Sequence, residues 1–283
     1  MNTIQKLIAS NTAPPGSSPE DYINPSDGLL YCGKCHTRKQ YKGSFKGREF
    51  IVSCMCSCET AARDRKDEEH SKNERLMEIQ KIRAAGLQDH SLKNCTFEND
   101  NGENPLMEKA AAYVKYWAEF HADNIGLLLY GKVGTGKSFF AGCIANALLD
   151  QGVPVLMTNF SKILNSLSAM FNEDRNEYIE SLNRYSLLIL DDLGIQRNTE
   201  YAMEQVFNVI DSRYRSGRPM IITTNLSWQE LSAAERNDLA HQRIYDRILE
   251  VCQPVYFGGK NMRQDNAGKK RAEIVETFRA EHG

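Results

Sequence analysis

Gly131-Lys132-Val133-Gly134-Thr135-Gly136-Lys137-Ser138 is the segment from which the rest of this chain can be read. It follows the apolar run Leu127-Leu128-Leu129-Tyr130 and precedes a helix-like stretch at residues 139–150, so the pattern G-x-x-x-x-G-K-[ST] stands in full between a strand and a helix. Glycines suit that place because the loop must turn its backbone N–H groups inward around phosphate oxygens, where side chains would obstruct. Lys137 adds a cation for the β- and γ-phosphates, and Ser138 offers a hydroxyl to Mg²⁺. The helix that begins there directs its positive end at the anion. Gly131, Val133, Gly134, Thr135, Gly136, Lys137, Ser138 and Phe139 are therefore the expected contacts of a nucleoside triphosphate such as ATP.

Working outward, short apolar runs at residues 125–130, 153–158, 187–190, 220–223 and 255–257 alternate with segments of helical length. Strand-helix alternation implies an α/β fold, a parallel sheet covered by helices on both faces. A triphosphate site of this kind needs a carboxylate for Mg²⁺ at the tip of a second buried strand, and Leu187-Leu188-Ile189-Leu190-Asp191-Asp192 supplies it. Asp191 is the metal-side candidate, and Asp192 is placed to polarise the attacking water as general base. The strand Met220-Ile221-Ile222-Thr223-Thr224-Asn225 ends in polar side chains, of which Asn225 is suited to orienting that water. Arg243-Ile244-Tyr245-Asp246-Arg247-Ile248 and Gly258-Gly259-Lys260-Asn261-Met262-Arg263 bring arginines late in the domain, where one can reach a γ-phosphate from a neighbouring subunit.

The bulk properties set bounds on function. The chain has 283 residues, 41% of them apolar and 25% charged, with a formal net charge of -2. A near-neutral total argues against wholesale coating of nucleic acid. No apolar run approaches the roughly 20 residues that span a bilayer, so no membrane partner is expected and the protein is expected in the cytoplasm. Residues 11–25 are rich in Pro, Ser, Asn and Gly and read as a flexible lead-in. Residues 59–85 are highly charged and free of Gly and Pro, which predicts a solvated connecting helix. The expected division is 1–85, a cysteine-bearing domain with that helix, then a linker at 86–100, then a nucleotide-binding domain at 101–283.

Five of the eight cysteines (Cys32, Cys35, Cys54, Cys56 and Cys58) crowd into one short stretch, which in a reducing compartment points to metal rather than to disulfides. Zinc takes four ligands, and five cysteines and His36 compete for them. Between Tyr31 and Phe50 lie Lys34, Arg38, Lys39, Lys42, Lys46 and Arg48 against one acid, Glu49, interleaved with Tyr41 and Phe45. Such a mixture suits single-stranded nucleic acid or an acidic protein surface.

Together, these motifs resemble the AAA+ helicase loaders of the DnaC/DnaI type and the related transposition helper ATPases of the IstB type. The resemblance covers roughly residues 96–263. Its most telling parts are the P-loop, the Leu-Leu-Ile-Leu-Asp-Asp-Leu-Gly run ending at Gly194, residues 222–225, and the two arginine-bearing segments. It implies the AAA+ P-loop sheet with strand order 5-1-4-3-2. It also implies Asn225 as sensor 1, Arg247 as an arginine finger acting in trans, with Arg243 as its alternative, and Arg263 as sensor 2. Loaders of the DnaI type carry a Cys pair followed by C-x-C before a charged helix, which favours Cys32, Cys35, Cys56 and Cys58 as the Zn²⁺ ligands and leaves Cys54 spare. The expected partners are a hexameric replicative helicase held by the zinc domain, single-stranded DNA on the AAA+ domain, and further copies of the chain when ATP is bound. A transposition helper acting on duplex DNA, and an adaptor that binds nucleotide with little turnover, are the alternatives.

Overall fold

The computed structural model describes residues 18–87, 89–194, 199–232, 239–262, 264 and 271. They form two compact units, one ending at Leu76 and the other beginning at Met77.

The first unit opens with two short antiparallel strands, β1 (Tyr22–Ile23) and β2 (Leu30–Tyr31). A hairpin follows, β3 (Gln40–Phe45) and β4 (Arg48–Ser53), joined by the two-residue turn Lys46-Gly47. Both turn residues have positive φ, 50° and 77°, the type I′ geometry whose twist matches that of the strands it joins. Helix α1 (Ser57–Gly86) then runs out of this unit and into the second. Its residues are exposed along nearly the whole length, and i,i+4 pairs such as Arg63–Asp67 and His70–Glu74 lie along it. Charge and propensity, rather than a buried face, make this stretch helical.

The second unit is the α/β domain. After two 3₁₀ turns (His90–Asn94 and Phe97–Asn99) come α2 (Met107–Lys115), α3 (Trp117–Ala122), β5 (Gly126–Gly131) and α4 (Lys137–Asp150). The chain continues through β6 (Val155–Asn159), α5 (Phe160–Ser168), α6 (Asn172–Leu182), β7 (Leu187–Leu193) and α7 (Glu200–Arg215). It ends, among the described residues, with β8 (Met220–Thr224), α8 (Trp228–Ser232), α9 (Leu239–Val251) and β9 (Cys252–Phe257). The sheet order is β6-β7-β8-β5-β9, with every neighbouring pair parallel. Numbered from β5 as the first strand, that order is 5-1-4-3-2. β9 begins at Cys252, ahead of the run read from the sequence, and takes in Pro254. A proline is tolerated there because β9 is an edge strand and needs no ladder donor on its open side.

Strand residues alternate between two cores, as a period of two requires. Leu127, Leu129, Leu187, Ile189 and Ile221 pack with Phe140, Ala141, Ile144 and Leu148 of α4. Leu128, Leu188, Leu190 and Ile222 pack on the opposite face with Phe160 and Leu167 of α5, Val206 and Ile210 of α7, and Ile248 of α9.

Residues 86–100, expected as a linker, are instead part of this unit. Leu87 is buried and bridges to Met157, while Leu92 and Phe97 pack against the α4 core. The Asn146 amide, buried in α4, donates 2.9 Å hydrogen bonds to Leu92 O and Cys95 O. The turn-rich sequence conceals apolar residues spaced widely enough to escape a periodicity test, yet they cover the flank of α4.

Candidate functional site

The loop between β5 and α4 wraps a cleft of about 560 Å³. Its glycines Gly131, Gly134 and Gly136 all have positive φ. At Gly134 the conformation coincides with a close approach, since a Cβ there would fall 2.0 Å from Asn261 Oδ1, and Gly134 O accepts a 2.9 Å bond from Met262 N–H. The segment after β9 is thereby stitched to the phosphate loop. Lys137, 5% exposed, donates to Gly131 O at 2.9 Å and Lys132 O at 2.7 Å. Its ammonium is held at the loop by carbonyls, poised for phosphate oxygens to take their place. Val133, Gly134, Gly136, Lys137, Ser138 and Phe139 line the cleft, while Gly131 and the buried Thr135, which donates to Lys132 O, shape the loop from behind.

The acidic strand end is built around a β-bulge. Leu190 pairs with Ile222 and Leu193 with Thr224, so Asp191 and Asp192 together oppose the single residue Thr223. Asp192 takes φ 62°, one of the few non-glycine positions with positive φ in the described chain. Thr223, fully buried, satisfies both members of the bulge. Its hydroxyl donates to Asp191 Oδ1 at 2.5 Å and accepts Asp192 N–H at 2.9 Å. Asp191 Oδ1 also accepts Ser138 Oγ at 3.0 Å, which brings together the hydroxyl and carboxylate singled out for Mg²⁺. Consecutive residues of a regular strand face opposite sides, and the bulge is what lets Asp191 reach Ser138 while Asp192 lines the cleft. Asn225 lines it too. The pair of groups expected to hold the cation, the expected base and the expected water-orienting amide therefore converge on the phosphate loop.

The arginines are placed differently. Arg247 forms an ion pair with Asp211 Oδ1 at 2.6 Å and lies over the Phe207 and Tyr214 rings, at 5.1 and 5.3 Å, so it is engaged by α7 of its own chain. Arg243, one turn earlier, is exposed. Arg263 lies outside the described residues.

Sequence reading missed three features of the cleft. Thr223, behind the cleft, touches both aspartates through a strand register that no sequence motif announces. Asn99, Asp100, Asn101 and Asn104 form part of the wall, from a stretch legible only as a turn. Met262 lines the cleft beside the arginine that was singled out instead.

In the first unit, Cys32, Cys35, Cys56 and Cys58 place their sulfurs within 4.8 Å of one another. Tetrahedral ligands at the Zn–S distance of about 2.3 Å stand roughly 3.8 Å apart, so the four thiols fit such an ion. Cys54 stands apart, donating to Arg38 O, and the His36 ring lies instead beside Tyr22. Lys39 organises the cluster from behind. Nearly buried, it bonds Asp21 at 2.9 Å and Glu59 at 2.8 Å. Asp21 accepts Gly33 N–H within the first cysteine pair, and Glu59 accepts Cys56 N–H within the second. One lysine thus ties both ligand-bearing segments, and its hydrogen bonds hold the Asp21 and Glu59 carboxyls below their ordinary range.

Among the described residues no helix is long and apolar enough to cross a membrane. Residues 51–270 match the family described as IstB-like ATP binding protein. The replicative helicase loader DnaC of Escherichia coli (strain K12) is 29% identical over 186 residues, 63% of this chain and 73% of that protein. DnaC of Buchnera aphidicola (subsp. Baizongia pistaciae) is 28% identical over 160 residues, 55% of this chain and 63% of its own. Of solved structures, the DnaC helicase loader superposes with a TM-score of 0.52 at 20% identity, over 60% of this chain and 100% of that one. DnaI does so at 0.50 and 21%, over 62% and 94%, and these two likenesses speak to the fold alone. A complete P-loop joined to an acidic bulge, and a family match over most of the length, lead to one assignment: this chain belongs to the IstB-like ATP binding protein family, with the AAA+ fold of the DnaC/DnaI-type loaders.

Proposed function

We propose that the protein is an ATP-dependent loader of a hexameric replicative DNA helicase. The observation that carries the reading is the assembled triphosphate site on a chain that aligns with the DnaC loader over 186 residues. In this reading the AAA+ unit binds ATP and single-stranded DNA and assembles with further copies of itself, while the cysteine unit holds the helicase. The decisive measurement is co-purification of the full chain with candidate replicative helicases, followed by mass measurement with and without ATP. A complex is expected, and its absence in both conditions would sink the proposal. The family description also fits a transposition helper, which genomic neighbourhood beside a transposase would favour.

For hydrolysis, Lys137 and the loop N–H groups hold the β- and γ-phosphates, Asp192 takes the proton of the attacking water, and Asn225 orients it. Mg²⁺ would be held by Ser138 and Asp191 and would supply charge neutralisation to the phosphates. Arg247 reaches a neighbouring subunit's γ-phosphate only by leaving Asp211, with Arg243 the alternative and Arg263 the proposed second sensor. Thr223 acts through the two aspartates. Thr223→Val keeps the shape but removes the hydroxyl's bonds to Asp192 N–H and to Asp191 Oδ1. It is expected to lower ATP turnover about tenfold to a hundredfold with a much smaller change in nucleotide affinity. Steady-state phosphate release checks this, and Thr223→Ser should restore the rate.

We assign Zn²⁺ to Cys32, Cys35, Cys56 and Cys58 as a structural ion that folds a unit too small to depend on its own core. Cys56→Ser should lose the metal and the folded first unit, whereas Cys54→Ser should keep one zinc per chain, about a full equivalent by elemental analysis. Equal metal content in the two variants would contradict this ligand set.

A further inference from the structure

The β3–β4 hairpin carries large apolar side chains that nothing in its own unit covers. Tyr41 is 55% exposed, Phe45 68% and Phe50 46%. The register puts them together: Tyr41 pairs with Val52, Gly43 with Phe50 and Phe45 with Arg48, and these alternate pairs share one face. Gly43 makes the face continuous. A Cβ at that position would stand 2.5 Å from the Phe50 ring, so only glycine lets the ring lie across β3 between Tyr41 and Phe45.

The acid is kept off this face, although one cation, Lys42, also lies on the opposite side. Arg48 shares the aromatic side, Lys46 sits 5.7 Å from the Phe45 ring centre, and Arg38 sits 6.0 Å from that of Tyr41. The one acid of the hairpin, Glu49, pairs with Ser44 on the opposite face. Three rings at alternate positions of one strand pair, rimmed by cations and free of carboxylates, meet the two requirements of an unpaired strand: planar surfaces for bases and positive charge for phosphates. A protein interface core also enriches aromatic residues and arginine, but it is depleted of lysine and of charge in general, whereas these rings are rimmed by Arg38, Lys46 and Arg48.

We propose that this face of the hairpin, built from Tyr41, Phe45, Phe50 and Arg48, binds single-stranded nucleic acid by stacking bases on its three rings. Stacking and phosphate contacts are blind to the 2′-hydroxyl, so DNA and RNA strands should bind alike, and a duplex, whose bases are already stacked, should bind worse. The site stands on the first unit alone and does not depend on the helicase-loading reading.

The test is fluorescence anisotropy of labelled dT12 with the zinc-loaded full chain in the absence of nucleotide. Combined substitution Y41A/F45A/F50A is expected to weaken binding by about tenfold or more, and Arg48→Ala to flatten its salt dependence. A 4-thiothymidine-substituted strand should crosslink within residues 38–53. Zinc content reports whether the combined variant is folded. Should it lose the ion, Tyr41→Leu and Phe50→Leu, which keep apolar bulk without a π face, carry the same expectation. Unchanged dT12 affinity in folded variants, crosslinks confined to residues outside the hairpin, or tighter binding of a duplex would each overturn the proposal. So would variants that lose helicase co-purification while dT12 affinity stays as in the wild type, since the face would then belong to a protein partner.

Discussion

Lys137→Ala is expected to lower ATP affinity by about 100-fold or more, because it removes a cation from beneath the terminal phosphates where charge-assisted hydrogen bonds each contribute roughly 1.5–3 kcal/mol. The lysine stands at the first position of α4, nearly buried, with its ammonium on Gly131 O and Lys132 O. Lys137 itself lines the cleft, so water can take the place of its ammonium, and alanine is the best helix former. The variant should therefore keep its fold. Calorimetric titration with ATP checks the loss, and an unchanged melting temperature without nucleotide checks that the loss is local. Retention of tight binding by a folded variant would contradict the site. Lys137→Arg should rescue little, since the guanidinium is too broad for a pocket that encloses a single ammonium.

The largest stability effect is expected at Arg213, whose side chain is fully buried. It reaches from α7 to the starts of two strands, donating to Tyr185 O and Ser186 O at 2.9 Å each and to Pro219 O at 2.7 and 3.3 Å. Burial pushes its pKa down, so the guanidinium gives up favourable hydration, and the three carbonyls are what offset that loss. Arg213→Ala leaves a cavity and strips those carbonyls of their donor, at an expected cost of about 3–5 kcal/mol, a large part of the roughly 5–15 kcal/mol that holds a domain together. Urea unfolding should show the midpoint falling with the slope unchanged. Arg213→Lys should recover only part of the loss, because one ammonium cannot span carbonyls on both strands as a planar fork does. A midpoint within experimental error of the wild type would show that the clamp contributes nothing net.

Legibility from sequence followed the range of the physics involved. The phosphate loop was readable because every requirement on it is local: glycines for the turn, a lysine and a serine at fixed spacing, a strand before and a helix after. Asp191, Asp192 and Asn225 were readable because a parallel sheet brings the carboxyl ends of its strands to one edge, so polar residues ending apolar runs gather there. The four-cysteine cluster could be narrowed only by resemblance. What separates Cys54 from the other four cysteines of the crowded stretch is the fold of the backbone around Lys39, and no spacing rule contains that.

Arg213 illustrates the opposite case. In sequence it is one arginine near a helix end, the kind that ordinarily faces water, and its burial depends on β7 and β8 starting side by side. Thr223 is similar. Its neighbours in sequence identify it as a strand residue, while its role comes from a bulge in β7, where two aspartates share one partner across the ladder. Residues 86–100 read as a linker for the same reason: their apolar groups are too sparse to announce a buried face, and only α4 supplies the surface that buries them.

By itself the sequence determined the strand-helix alternation, the triphosphate loop and the acids that lie beside it, because periodicity, glycine geometry and motif spacing act within a few residues. The tertiary structure decided how those acids are aimed, which cysteines meet, where Arg247 is tied, and that the hairpin's rings and cations share one exposed face. Each of these turns on which side of a strand a residue occupies and what lies across from it, and that is set by register between segments distant in the chain.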